Sequence, residues 1–339
     1  MMTYLTRLLL PCLFFVACSP RARLNPKAVL HAKSGADLLT KGRFDHAEAQ
    51  LALALEYNPR YPEALSGLGL VAYHRGQQAV AVRFFRKALI VDEDFAEAHN
   101  NLGVVLLEGG DYRDAISSFR AALAVDPGYV NARFNLALGL LRVGGLSAAR
   151  FELRKTLAQA PKLAVAHAEL GCLDVYMGRR SAADAHLRRA LALDPKVGAA
   201  YRCKGRALRD AGDLPGAESA LRRAWQLDPS DNVALFELAL TLALAKKASE
   251  AQAPLTKLLA RQPRLAEGHF VLGYLLALQG DVKRARSRLE RALKLRKDYP
   301  AARLALGDLA LGRGDVASAR QHYQRFIKRV PVELSGERA

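Results

Sequence analysis

The chain has 339 residues, 51% of them hydrophobic and 7% aromatic, with 51 Lys and Arg against 33 Asp and Glu for a net charge of +18. A length of this kind defaults to two domains, but an unbroken internal period excludes a conventional pair of globular domains and argues for one continuous stack. Few aromatics fit close helix packing through small residues, and no run of alternating residues argues for a strand.

Residues 1–17 differ in kind from the rest. Arg7 precedes Leu8–Ala17 (LLLPCLFFVA), an apolar stretch interrupted by Pro11 and too short to span a bilayer. It reads as a secretory signal peptide. Ordinary cleavage after Ala17 would leave bulky Phe15 where a small residue is wanted. Phe15-Val16-Ala17-Cys18 instead resembles a bacterial lipobox, with Phe15 in place of the usual leucine. That resemblance implies lipidation at Cys18, with ordinary secretion and a retained anchor as the alternatives. Ser19 after the cysteine resembles an outer-membrane sorting signal. It implies a lipid-anchored protein of the bacterial envelope facing the periplasm, with residues 18–27 as a short linker.

From residue 28 the sequence repeats every 34 residues without insertion or deletion. Prolines fall at 59, 127, 161, 195, 229, 263 and 331, with Glu93 and Lys297 in the two other places. Units start at 28, 62, 96, 130, 164, 198, 232, 266 and 300 and run to 333, leaving 334–339 as a tail. Position 20 is alanine in every unit, from Ala47 to Ala319. Position 8 is glycine except at Ala137 and Ala239. Small residues at both places let two helix backbones approach closely. Position 15 is glycine in eight units, with Lys247 next to Lys246 in the exception. Glycine there suits the left-handed residue that ends a helix, and the position-32 proline stops the second helix. Between these stops the apolar residues keep helical spacing, as in Ala115, Ile116, Phe119, Ala122 and Leu123.

This pattern, with a large apolar residue at position 24 (Leu51, Phe85, Phe119 and their equivalents) and a small one at 27, resembles the tetratricopeptide repeat over residues 28–333. The family's tryptophan at position 4 is absent, and Thr156, Leu258 and Phe326 replace the alanine at 27. The resemblance implies an all-α, right-handed superhelical solenoid of about nine helix-turn-helix repeats. It also implies a concave first-helix face that binds protein or peptide partners.

No HExxH, P-loop, GxSxG or paired-cysteine motif occurs, so no enzyme and no cofactor is expected. Gly67-x-Gly69-x-x-Ala72 matches a relaxed dinucleotide fingerprint but lies within a helix, with no strand before it. His31, His99, His167 and His269 all fall at position 4, never in adjacent units, which predicts packing residues and no metal site. Cys172 and Cys203 lie on neighbouring first helices. A disulfide in an oxidising compartment is one reading; two independent small residues is the simpler one, because helix spacing often holds Cα atoms too far apart. The basic residues spread over all units. In a cytosolic protein they would suggest nucleic acid, but export points to anionic lipid, lipopolysaccharide phosphates or an acidic protein surface, or simply to solvated helix faces, so no nucleic acid is expected.

In the family the groove is lined by first-helix positions 2, 5, 6, 9, 12 and 13. Here these give Tyr73, His74, Asn100, Asn101, Phe134 and Asn135, then Tyr176, Arg202, Arg206 and Arg209, then Phe236, Phe270 and Tyr274. Asn101 and Asn135 share position 6, where an amide can pair with any peptide backbone. The three arginines lie on one helix face, poised for acidic side chains of a ligand or for internal pairing with Glu169 and Glu237. The family's carboxylate clamp is absent, because Val104, Val165 and Glu169 occupy its places. A signal peptide, a lipobox and nothing but repeats resemble the pilotin-type lipoproteins that help outer-membrane secretins multimerise. An adaptor that hands peptides to an envelope enzyme is the alternative.

Overall fold

A computed structural model describes residues 25–327. The expected signal segment, Cys18 and the tail at 334–339 lie outside them. The described residues form eighteen α-helices and no strand. In chain order they are α1 Pro26–Thr40, α2 Phe44–Tyr57, α3 Pro62–His74, α4 Gln78–Val91, α5 Ala96–Gly109, α6 Tyr112–Val125, α7 Val130–Arg142, α8 Leu146–Gln159 and α9 Ala164–Tyr176. There follow α10 Arg180–Leu193, α11 Gly198–Asp210, α12 Leu214–Leu227, α13 Asn232–Leu244, α14 Ala248–Arg261, α15 Ala266–Leu278, α16 Val282–Leu295, α17 Pro300–Leu311 and α18 Val316–Ile327. Each 34-residue unit holds one helix pair. The chain divides into two compact units, Met1–Leu173 and Asp174–Ala339, with the boundary inside α9.

The interior of each pair follows from three positions. Every position-20 alanine is buried, from Ala47 at 0% exposure to Ala319 at 2%. Across from it, position 8 lies directly beneath the large position-24 side chain. A Cβ built on Gly103 would stand 2.6 Å from the Phe119 ring, and one on Gly35 would stand 2.6 Å from Leu51. No Cβ tolerates such a distance, so glycine is what lets the ring of Phe119 lie flat on the first helix. Burying that ring stabilises the pair by about 2–3 kcal/mol.

The turns show what enforces the period. The position-15 glycines, Gly42 to Gly314, all take positive φ (69° to 91°). In the seventh repeat the residue doing so is Lys246, at φ 59°, because a unit that starts at residue 232 has its position 15 there and not at Lys247. A side chain in that conformation costs about 1–2 kcal/mol, which the packing on either side imposes. The proline at position 32 turns out to be dispensable. Where Glu93 and Lys297 replace it, the helix still ends at the same place, and Asp92 (φ −140°, ψ 99°) and Arg296 (φ −130°, ψ 94°) adopt the same extended cap as Asn58 before Pro59.

Position 4 has a role that sequence reading did not reach. The His99 Nε2 donates to the Glu93 carbonyl (2.9 Å), His167 to Pro161 (3.2 Å) and His269 to Pro263 (3.1 Å). Arg133 and Arg303 do the same from Nη2, to Pro127 (2.6 Å) and Lys297 (2.8 Å). In these five repeats a donor at position 4 thus ties the first helix to a loop carbonyl six residues earlier, at the end of the preceding repeat. The remaining position-4 histidine, His31, pairs through Nδ1 with Gln50 Oε1 at 2.8 Å. Among the described residues no group of three or more His, Cys, Asp or Glu is placed to hold a metal. No described helix is long and apolar enough to cross a membrane.

Candidate partner-binding face

In the first unit the expected groove residues are mostly buried and engaged with one another. Tyr73 Oη in α3 donates to Glu108 Oε1 in α5 at 2.7 Å. Its phenol pKa is raised by burial and then by that carboxylate. Asn135 Nδ2 in α7 donates to Asn100 Oδ1 in α5 at 2.9 Å, and Asn100 Nδ2 donates to Asn101 Oδ1 at 3.3 Å. Asn100, Asn101, Asn135 and Phe134 are all exposed by 2% or less. Asn135 Oδ1 is buried without a partner, which costs about 1–3 kcal/mol. His74 alone of this set is exposed; its ring stacks on Phe44 with centroids 4.7 Å apart, and burial lowers its pKa.

The arginines of α11 divide. Arg209 Nη1 pairs with Glu237 Oε2 of α13, both largely buried, and Arg202 Nε lies 3.1 Å from Asp231 Oδ2 at the cap of α13. Arg209 bridges consecutive repeats by the expected internal pairing with Glu237, and Arg202 holds the residue that caps the next repeat's first helix. Arg206 keeps 43% of its side chain exposed, has only a 3.9 Å contact with Asp210, and lies 5.9 Å from the Tyr176 ring. Tyr176 itself is 63% exposed. Cys172 and Cys203 are each disulfide-bonded, so neither is a free thiol.

The second unit also presents an apolar face. Phe270 of α15 packs against Tyr274 (6.5 Å) and Tyr299 (5.1 Å), and both Phe236 and Phe270 rest half-buried on the core built from Leu238, Leu242 and Leu272. Along the first helices of this unit Tyr274 is 45% exposed, Leu244 54% and Leu278 56%, with Val233 and Leu311 exposed as well. The spacing of Phe270, Tyr274 and Leu278 puts them in one row along α15. The leucines were missed in the sequence, although a signal was present: α13 (NVALFELALTLAL) and α15 (AEGHFVLGYLLAL) are apolar all round. A helix of that kind buries one face in the core and leaves the other for something else to cover.

A family model described as tetratricopeptide repeat matches residues 33–99, 168–232, 204–264 and 279–333, and a second such model matches 106–171. Among solved structures, that of Pseudomonas aeruginosa pilF is similar at 21% identity and a TM-score of 0.58, covering 64% of this chain and 97% of its own. A tetratricopeptide repeat protein from Parabacteroides merdae is similar at 17% identity and 0.56, over 74% of this chain and 98% of its own. A chain of the APC/C hetero-tetramer Cut9–Hcn1 aligns at 16% identity and 0.66, over 85% of this chain and 57% of its own. At these identities the likeness is one of fold. No curated protein matches the sequence.

Proposed function

The chain belongs to the tetratricopeptide repeat family, and from that premise we propose that it is a non-catalytic scaffold of the bacterial envelope, anchored by a lipid on Cys18. Tetratricopeptide repeats suit protein–protein interaction, and the exposed Tyr274–Leu278–Leu244 face is the observation that carries this reading. An apolar face rimmed by polar side chains is what a protein segment covers. The partner segment would lay apolar side chains on Phe270, Tyr274 and Leu278, with an acidic group toward Arg206. Purified full chain should capture partners from an envelope extract, and Tyr274→Ala combined with Leu278→Ala should abolish that capture. Equal capture by the double variant would sink the reading.

Two further observations support the location. The Leu8–Ala17 segment followed by Cys18 fits an exported lipoprotein on the outer membrane facing the periplasm, and disulfide-bonded Cys172 and Cys203 fit an oxidising compartment. Cys18→Ser should end incorporation of labelled palmitate; unchanged labelling would refute the anchor. Within the envelope, the lipobox-plus-repeat layout favours assistance to secretin assembly in type IV pilus biogenesis, and the fold shared with pilF accords with it. Secretin multimers should then be lost in a deletion strain, and normal multimers and pili would exclude this role. The second reading, an adaptor presenting peptides to an envelope enzyme, draws on the same exposed face. Crosslinking there would yield many unrelated peptides instead of one machine component.

A further inference from the structure

The positive charge is unevenly placed. Over residues 28–129 acidic side chains outnumber basic ones, whereas over 130–333 Lys and Arg outnumber Asp and Glu by nearly two to one. The surplus is greatest on α16, whose Arg284, Arg288, Arg291 and Lys294 follow one another at i, i+4, i+7 and i+10 and so share one face. These four side chains and His269 line a shallow depression on the second-helix side of the eighth repeat, with Glu290 as its one acid. Glu290 is engaged elsewhere, accepting from Arg286 Nε at 2.7 Å. Arg284 reaches Asp281 at 3.4 Å, while Arg288, Arg291 and Lys294 have no carboxylate partner among the described residues.

Like charges three and four residues apart on a helix repel by about 0.2–0.5 kcal/mol per pair, so this row weakens the helix that carries it. The repeat frame supplies a control, because the same four positions can be read in every other unit. They hold His46, Gln50, Leu53 and Glu56 in the first repeat and Asp114, Ser118, Ala121 and Ala124 in the third, and no other repeat carries four cations there.

The depression is also built. His269 is buried at position 4, and its Nε2 proton is committed to the Pro263 carbonyl, which leaves Nδ1 as an acceptor facing Arg288 Nη1 at 3.5 Å. The latch found in the other repeats here has a second use, steadying a guanidinium at the edge of the cluster. Flanking repeats extend the field: Lys257 and Arg325 stand at the position equivalent to Arg291, exposed and without a carboxylate partner among the described residues.

We propose that this depression on α16 is a phosphate-binding site. Two or three guanidinium groups around an ammonium match the charge and the paired oxygens of a phosphate better than those of a single carboxylate. The cations of the site lie on the second helix, and the site does not depend on the apolar first-helix face.

The test uses the purified full chain and two probes: inorganic pyrophosphate by calorimetric titration, and vesicles of phosphatidic acid in phosphatidylcholine by co-sedimentation. Arg288→Gln/Arg291→Gln/Lys294→Gln should weaken binding by about tenfold or more. Arg83→Gln/Arg86→Gln/Lys87→Gln on α4, which removes the same charge from exposed positions, should change it by no more than roughly twofold. Helix content by circular dichroism, expected to be unchanged in both, shows that the variants fold. Saturable pyrophosphate binding that is lost only in the α16 variant supports a site for free phosphates. Vesicle binding lost only in that variant, without pyrophosphate binding, supports a lipid phosphate. Absence of binding to either probe, or equal loss in the α4 variant, overturns the proposal.

Discussion

The two units share an interior and differ in what their first helices present. In the first, Tyr73, Asn100, Asn101 and Asn135 are buried and hydrogen-bonded from one helix to the next. In the second, Tyr176, Tyr274, Leu244 and Leu278 stand exposed, and the polar bridging is left to Arg202 and Arg209. One repeat frame therefore puts similar positions to different uses. A polar side chain at position 5, 6 or 12 becomes an inter-repeat bolt when its neighbour offers a partner, and an apolar one remains available to a ligand.

The shared interior should fail in the same way in both units, and it carries the largest effect. Gly103→Leu in the first and Gly273→Leu in the second each drive a side chain into the position-24 residue, Phe119 or Leu289. Each should cost about 3 kcal/mol in urea unfolding. A large difference between them would mean that the interiors are not equivalent.

Asn100→Leu should cost about 1–3 kcal/mol, because it leaves the Asn135 amide with neither donor nor acceptor satisfied. Adding Asn135→Leu should restore most of that loss, since an apolar pair replaces a half-satisfied polar one. Tyr274→Ala, by contrast, should leave stability within about 1 kcal/mol of the parent while weakening partner capture. If it unfolded the protein instead, the distinction between bolted and open faces would fall.

Smaller effects refine the picture. Lys246→Gly should stabilise by up to about 1 kcal/mol, since glycine adopts its positive φ without strain. The same experiment reversed, Gly110→Ala in the first unit, should destabilise by a similar amount. The pH dependence should be slight and of one sign. The pKa of His269 is lowered, first by burial and then by Arg288 and Arg291, against the raising effect of the Pro263 carbonyl, and burial also lowers that of His74. A lowered folded-state pKa means that the unfolded chain binds the proton more readily. Stability is therefore intact above the ordinary histidine value of 6.5 and declines as pH falls below it. His269→Gln should flatten the part of that decline assigned to the second unit.

Much of the fold was legible because its causes are local and repeated. Ala47 to Ala319, the glycines beneath position 24 and the left-handed glycines act through sterics within one helix pair, so copy after copy states the same rule. Much less of the candidate face could be read. The frame placed Asn101, Asn135, Arg202 and Arg209 beside Phe270 and Tyr274 as equals, and nothing in the residue types separates a bolt from an open contact.

The sequence by itself determined the helix pairs, their period and their close approach, because steric fit depends on residue size at fixed spacing. Only the tertiary structure decided that helices would end at Asp92 and Arg296 without a following proline. It also decided which polar side chains would meet a partner from the neighbouring repeat. Those outcomes depend on atoms 28 to 35 residues away in the chain, such as Glu237 for Arg209 and Asn100 for Asn135. Packing brings such pairs within hydrogen-bond reach, and residue type alone does not predict it.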